Sequence, residues 1–142
     1  MIYAVIDTNV IVSAFVTKTE NATTSKVLEA ALQGKIIPIY NDEILSEYND
    51  VLSRRKFNIA ESLIVRTIDR ILEKGVPGSR IHCNENFPDP KDVVFYEVAL
   101  SKKDAYLVTG NSKHFPKTPI VVTPAEMLEI LQKEALKQQE GR

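Results

Sequence analysis

Three carboxylates in this chain fall where a parallel sheet would gather them. Asp7 directly follows the apolar run Ile2-Tyr3-Ala4-Val5-Ile6, whose uninterrupted apolar character predicts a strand buried on both faces. Glu47 lies on the helix expected after a second strand, and Asp92 in the first turn of the helix expected after a third. In open parallel α/β sheets, functional groups collect at the carboxyl ends of the strands. If these strands are parallel, all three acids leave the same edge of the sheet and can meet around one cation. A carboxylate set without His or Cys ligands suits Mg²⁺ or Mn²⁺ better than Zn²⁺. The chemistry such clusters typically run is attack on a phosphodiester, because the ion lowers the pKa of a bound water and neutralises charge on the phosphate.

Each acid also has a purely structural reading. Asp7 could bond its own loop backbone, as Asp does in turns. Glu47 falls at the border of the stripe formed by Ile44, Leu45, Tyr48, Val51 and Leu52, where a solvated helix face is the commoner outcome. Asp92 could complement a helix dipole. Yet it shares a face with Phe95, Tyr96 and Ala99, where an uncompensated carboxylate is costly to desolvate. Asp89 reads as an N-cap, and Asp104 as a structural residue at the amino end of a strand. His82 and His114 fit no zinc spacing, and His114 reads as a surface residue. Cys83 has no evident base partner and reads as a buried apolar side chain. Arg54-Arg55-Lys56, Lys102-Lys103 and Lys113-His114 are short basic clusters that would contact phosphates only if they rim the acids.

The elements that must position these groups alternate between strand and helix. Thr24 or Ser25 is expected to cap a helix through Leu32, with Gly34 ending it in a left-handed conformation. Ile36–Tyr40 is the second strand, and Pro38 suggests a strand start or an edge-like position. Asn41 caps a helix to about Arg54, and Phe57–Glu73 has helical periodicity. Gly75-Val76-Pro77-Gly78 reads as a turn and Arg80–Cys83 as a short third strand. Asp89-Pro90 starts a helix ending near Ser101. Ala105–Thr109 and Ile120–Val122 are the fourth and fifth strands. Thr123-Pro124-Ala125-Glu126 is a capping box that opens the last helix. Right-handed crossovers then give a mainly parallel sheet with helices on both faces and the first strand central.

The chain has 142 residues, which suits one domain. Residues 1–132 are assigned to it, with 133–142 as a charged tail that frays at its end. A net charge of −1 excludes a generally basic nucleic-acid binder, so any such contact must use a local patch. No segment has the length of a membrane span or the pattern of a signal peptide, and the single cysteine fits a reducing, cytoplasmic setting.

The order Asp7-Thr8-Asn9-Val10, then Glu47, then Asp92 with Ala99 seven residues on, then Leu107-Val108-Thr109-Gly110 resembles the PIN-domain family. The variant is similar to the VapC-type ribonucleases, the toxin components of type II toxin–antitoxin systems. The resemblance runs from residue 1 to about residue 131. It implies a three-layer α/β/α fold with a central, mainly parallel five-stranded sheet, and metal-dependent endonucleolytic cleavage of RNA in the cytoplasm. By the same resemblance, Asp7, Glu47 and Asp92 would hold Mg²⁺ or Mn²⁺. Thr8 and Asn9 would orient Asp7, and Thr109 would back the site. A small antitoxin protein is the implied partner, with a homodimer as a further association. The chain departs from the pattern at Asn111, where the family often has a further acid. Asparagine adds no charge, and charge count tunes metal affinity, so a catalytically weakened RNA- or protein-binding module is the alternative. A phosphatase of haloacid-dehalogenase type ranks behind both, since it would want an Asp where this chain has Asn9.

Overall fold

The computed structural model describes residues 1–19 and 22–140. Five strands form one all-parallel sheet: β1 (Ile2–Ile6), β2 (Ile36–Tyr40), β3 (Val76–Pro77), β4 (Tyr106–Val108) and β5 (Val121–Val122). Their spatial order is β3-β2-β1-β4-β5. The wholly apolar β1 is central as expected, with Ala4, Val5 and Ile6 essentially inaccessible. It pairs with β2 from Ile2↔Ile36 to Ala4↔Pro38, and with β4 from Ala4↔Tyr106 to Ile6↔Val108.

The helices are α1 (Thr8–Val16), α2 (Thr23–Leu32), α3 (Asp42–Leu52), α4 (Glu61–Lys74), α5 (Val93–Ala99) and α6 (Pro124–Glu140). Right-handed crossovers from β1 to β2 and β2 to β3 carry α2 and α4 to one face of the sheet. There α2 packs against α1, α4, α6 and β2. The chain then travels back across the sheet, which puts α5 on the other face against β1, β2 and β4. The result is a three-layer α/β/α fold. No described helix is long and apolar enough to cross a membrane.

Local chemistry fixes most element ends. Asn41 Oδ1 accepts from Ile44 N at 2.8 Å to cap α3. Asp89 Oδ1 accepts from Lys91 N at 2.9 Å, and the turn Pro90–Asp92 leads into α5. Thr123 and Glu126 exchange backbone-to-side-chain bonds at 2.9 and 3.2 Å, completing the capping box of α6. Gly34 adopts φ +82 after α2, which only glycine tolerates cheaply.

Several expectations are corrected. A helix, α1, directly follows β1 where none was expected. Thr24 and Ser25 lie inside α2 and make no cap. They reach α1 instead, through Ser13 Oγ at 3.2 Å and Ala14 O at 3.5 Å. The helix expected from Phe57 starts at Glu61, because Asn58 takes a left-handed φ of 50 that interrupts it. The third strand is Val76–Pro77, inside the expected turn, while Arg80–Cys83 forms none. The reason is Glu97 on α5. Its main-chain O and its Oε2 take the amides of Ile81 and Cys83 at 3.1 and 3.0 Å, and Oε1 takes Arg80 Nε at 2.7 Å. Those amides are therefore not free for a ladder. Burial raises the Glu97 carboxyl, but the Cys83 amide and Arg80 outweigh it and hold it below the usual carboxylate range. Cys83 is half-buried rather than buried. Residues 133–140 of the segment expected as a charged tail fraying at its end continue α6 without a break, and Gly141 and Arg142, where the fraying was expected, lie outside the described residues.

Pro38 explains why β3 begins late. Its carbonyl faces Gly75, and β3 pairs only with Ile39 and Tyr40 beyond it. The edge-like position expected of Pro38 therefore holds for the first half of β2. A side chain on Gly75 would collide with the backbone carbonyls of Pro38 and Ile71, neither of which can turn aside. Gly75→Ala should therefore cost about 1–3 kcal/mol, read as a fall in the urea midpoint at unchanged slope. An unshifted midpoint would contradict this packing.

Candidate active site

The strand order reverses at β1: the chain moves to β2 and β3 on one side and later fills β4 and β5 on the other. That switch point opens a crevice at the carboxyl ends of β1 and β4. Asp7 stands at one lip and Thr109 at the other, and Asp7 N donates to Val108 O at 2.9 Å across it.

The Asp7 side chain is 6% exposed. Its Oδ2 accepts from Thr109 Oγ1 at 2.8 Å and from Asn9 Nδ2 at 3.2 Å. Both partners are fixed in turn. Thr109 Oγ1 accepts from Asn111 N at 3.0 Å, and Asn9 Oδ1 accepts from Gly110 N at 3.1 Å. The start of α1 and the end of β4 are thus laced together through one carboxylate oxygen.

Glu47 arrives from α3, which Tyr48 anchors. The Tyr48 side chain is fully buried, and its hydroxyl donates to Ile6 O at the end of β1. Burial, then the Asp7 charge, push its pKa far up, so it stays a protonated donor. Asp92 arrives at the start of α5, with its Oδ2 3.6 Å from His114 Nδ1.

All three acids line one cleft of about 560 Å³, together with Thr8, Asn9, Asp89 and Asn111. Thr8 makes no side-chain bond to Asp7. Its buried Oγ1 lacks a hydrogen-bond partner among the described residues. Asn111 joins the Asp7 lacing through its backbone N–H alone, and its side-chain amide takes no part in it. The sequence reading missed the rest of the wall. Val12, Ser13 and Val16 come from the unexpected α1, while Val51, Arg54, Phe57, Lys91 and His114 close the other sides. For Arg54 and His114 the signal was the basic clusters, two of which rim the acids. Lys102 of the third instead lies 4.1 Å over the Tyr3 ring.

The electrostatics are those of crowded, poorly compensated carboxylates. Burial pushes the Asp7 carboxyl up to about 6, opposed by the Thr109 bond and the Thr8 amide and reinforced by Asp92 and Glu47. Asp92 is also raised, by burial and then Asp89, with Glu47 adding to this and His114 acting against it.

The PIN domain family matches residues 3–113 of the chain. This protein belongs to the PIN-domain family. Its members share what is generally a nuclease fold, typically metal-dependent. A search among curated proteins finds no match. The donor set fits a hard divalent cation: oxygen ligands only, mutual repulsion, and an orphaned hydroxyl in the same cleft. Among the described residues, however, no group of three or more Asp, Glu, His or Cys side chains stands close enough together to hold a metal ion by itself.

The raised Asp7 pKa has a thermodynamic consequence. Below about pH 3.8 the carboxyl is neutral in both folded and unfolded chains. Between about 3.8 and 6 the folded chain holds the extra proton, so stability falls as pH rises, and the full cost persists above. Asp7→Asn should therefore stabilise the metal-free protein by up to about 3 kcal/mol at pH 7.5, with the gap closing toward pH 4. Urea titrations in EDTA at the two pH values check this. A gap independent of pH would contradict the buried, uncompensated charge.

Proposed function

We propose that this PIN-domain protein is a metal-dependent endoribonuclease, with Asp7, Glu47 and Asp92 as the ligands of Mg²⁺ or Mn²⁺. The observation that carries the reading is the Asp7 carboxylate, raised by burial and then by Asp92 and Glu47, and laced to Thr109 and Asn9 at the sheet's switch point. A divalent cation supplies, when bound, charge neutralisation at the phosphate and a more acidic water. Asn9 and Thr109 hold one oxygen of Asp7 fixed, so the carboxylate needs little reorganisation to serve. Arg54 and Lys91 offer positive charge, and His114 a ring nitrogen, to the phosphates of an RNA lying across the cleft. Water adds to phosphorus as the bond to the 3′-oxygen breaks, leaving 5′-phosphate and 3′-hydroxyl ends.

The Asp-Thr-Asn-Val opening and the Ala-Tyr-Leu-Val-Thr-Gly segment further support a toxin of a toxin–antitoxin pair. On that reading the chain works in the cytoplasm, a small antitoxin protein restrains it, and a second copy of the chain is a further partner.

Purified wild type is expected to cleave members of a labelled RNA panel with Mn²⁺ or Mg²⁺, to stop in EDTA, and to lose cleavage in Asp7→Asn. Mn²⁺ at about 100 times its Kd should stabilise wild type by about 2.7 kcal/mol, and Asp7→Asn by much less. The neutral Asn111 in the cleft favours one rival, a binding module without catalysis. That rival stands if no RNA is cut and Mn²⁺ leaves the melting temperature unchanged.

A further inference from the structure

The cleft is larger and less polar than a cation and its waters require. Beside the acids it has an apolar wall of Val12, Val16, Val51 and Phe57. Val12 packs on the hydrophobic core, but Val16, Val51 and Phe57 do not belong to it. Val16 is 47% exposed, and Phe57 is half-buried. Apolar side chains gathered on one wall of a cleft, outside the core, offer a surface for a ligand.

The turn that carries Phe57 is held in place. Phe57 N donates to Arg54 O and Asn58 N to Arg55 O, both at 3.1 Å, and Asn58 locks the turn with its left-handed φ of 50. Asparagine tolerates that conformation better than most residues. Phe57 thus stands at a fixed place on the cleft, with Lys56 Nζ over one face of its ring, 5.1 Å from the centroid, which leaves the other face for a base, and with Arg54 lining the same cavity. Cations interleaved with an aromatic ring are what a single nucleic-acid strand uses: positive charge for the backbone and a flat apolar face for a base. A cleft of about 560 Å³ lies in the range of small-molecule sites and has room for a nucleotide.

We propose that Phe57 is a base-stacking platform: the base of a nucleotide flanking the scissile phosphate lies on its ring, walled by Val16 and Val51. The proposal rests on the ribonuclease reading above and adds a substrate subsite to it. A base paired in a duplex is already stacked and has no free face, so the subsite takes an unpaired nucleotide. Stacking of this kind tolerates any base, so the platform sets where the strand sits rather than which sequence is read.

The test uses the full chain, Mn²⁺ and a labelled single-stranded RNA whose cleavage position has been mapped. Phe57→Ala should raise KM by about 5- to 150-fold, with kcat changing far less. Phe57→Trp should stay near wild type. Wild type acting on RNAs with an abasic nucleotide walked through the cleavage position should show the same KM rise at one flanking position. On that RNA, Phe57→Ala should lose nothing further. The abasic arm needs only wild type, so it reads the platform even where Phe57→Ala folds poorly. If wild type cleaves but every abasic RNA keeps its KM, or Phe57→Ala loses the same factor on intact and abasic RNA, the platform is overturned and the nuclease reading stands. If wild type cleaves no RNA with either metal, both fall.

Discussion

A carboxylate buried at the carboxyl end of the central strand governs this molecule. Charge removed from water costs several kcal/mol unless something compensates it. Asp7 has two neutral hydrogen bonds to one oxygen and two further acids on the same cleft, which is the opposite of compensation. Contrast Glu97, equally buried, where an arginine and a backbone amide hold the ionised form. One chain therefore contains both solutions. Glu97 uses its charge to tie a loop to α5, whereas Asp7 keeps its charge poorly satisfied. On the proposed reading, that unfavourable free energy at Asp7 is what a bound cation would relieve.

The sheet makes that arrangement possible. Because β1 is flanked by β2 and β4, its end is surrounded by segments that leave in opposite directions. Tyr48 then fixes the helix that carries Glu47 by donating to Ile6 O, one residue before Asp7. The position of Glu47 is thus set by a bond to the backbone of β1 rather than by contact with Asp7. Two carboxylates that repel each other are brought to one cleft by a neutral phenol between their supports, and that phenol cannot ionise in its surroundings.

The parts of this fold legible in the sequence were those decided locally. The all-apolar β1, the Asn41 cap, the Asp89-Pro90 start and the Thr123–Glu126 box each depend on a few neighbouring residues, and each stands where the residues put it. What was not legible depended on distant partners. Helix α1 is rich in β-branched Val10, Ile11, Val12 and Val16, which suit strands as well as helices, and only its packing on α2 and α3 decides for helix. Arg80–Cys83 has strand-like composition but loses its amides to Glu97. The convergence of the three acids followed from parallel topology, but the opposite wall of the cleft did not. It is built from α1 and from the Arg54–Asn58 turn, whose left-handed residue no periodicity shows.

That wall changes how Asn111 is weighed. Counted as a missing carboxylate, it weakens a metal site, because fewer charges bind a cation less tightly. In the structure, though, its backbone amide supports the Thr109 hydroxyl that holds Asp7, a task that any residue but proline performs. Asp89 and Asp92 line the same cleft, and Asp89 adds its charge to the field at Asp92. The acidity of the cleft is therefore carried by the loop before α5 as well as by strand ends. A neutral residue at position 111 thus leaves both the acidity of the cleft and the support of Asp7 to groups other than its own side chain.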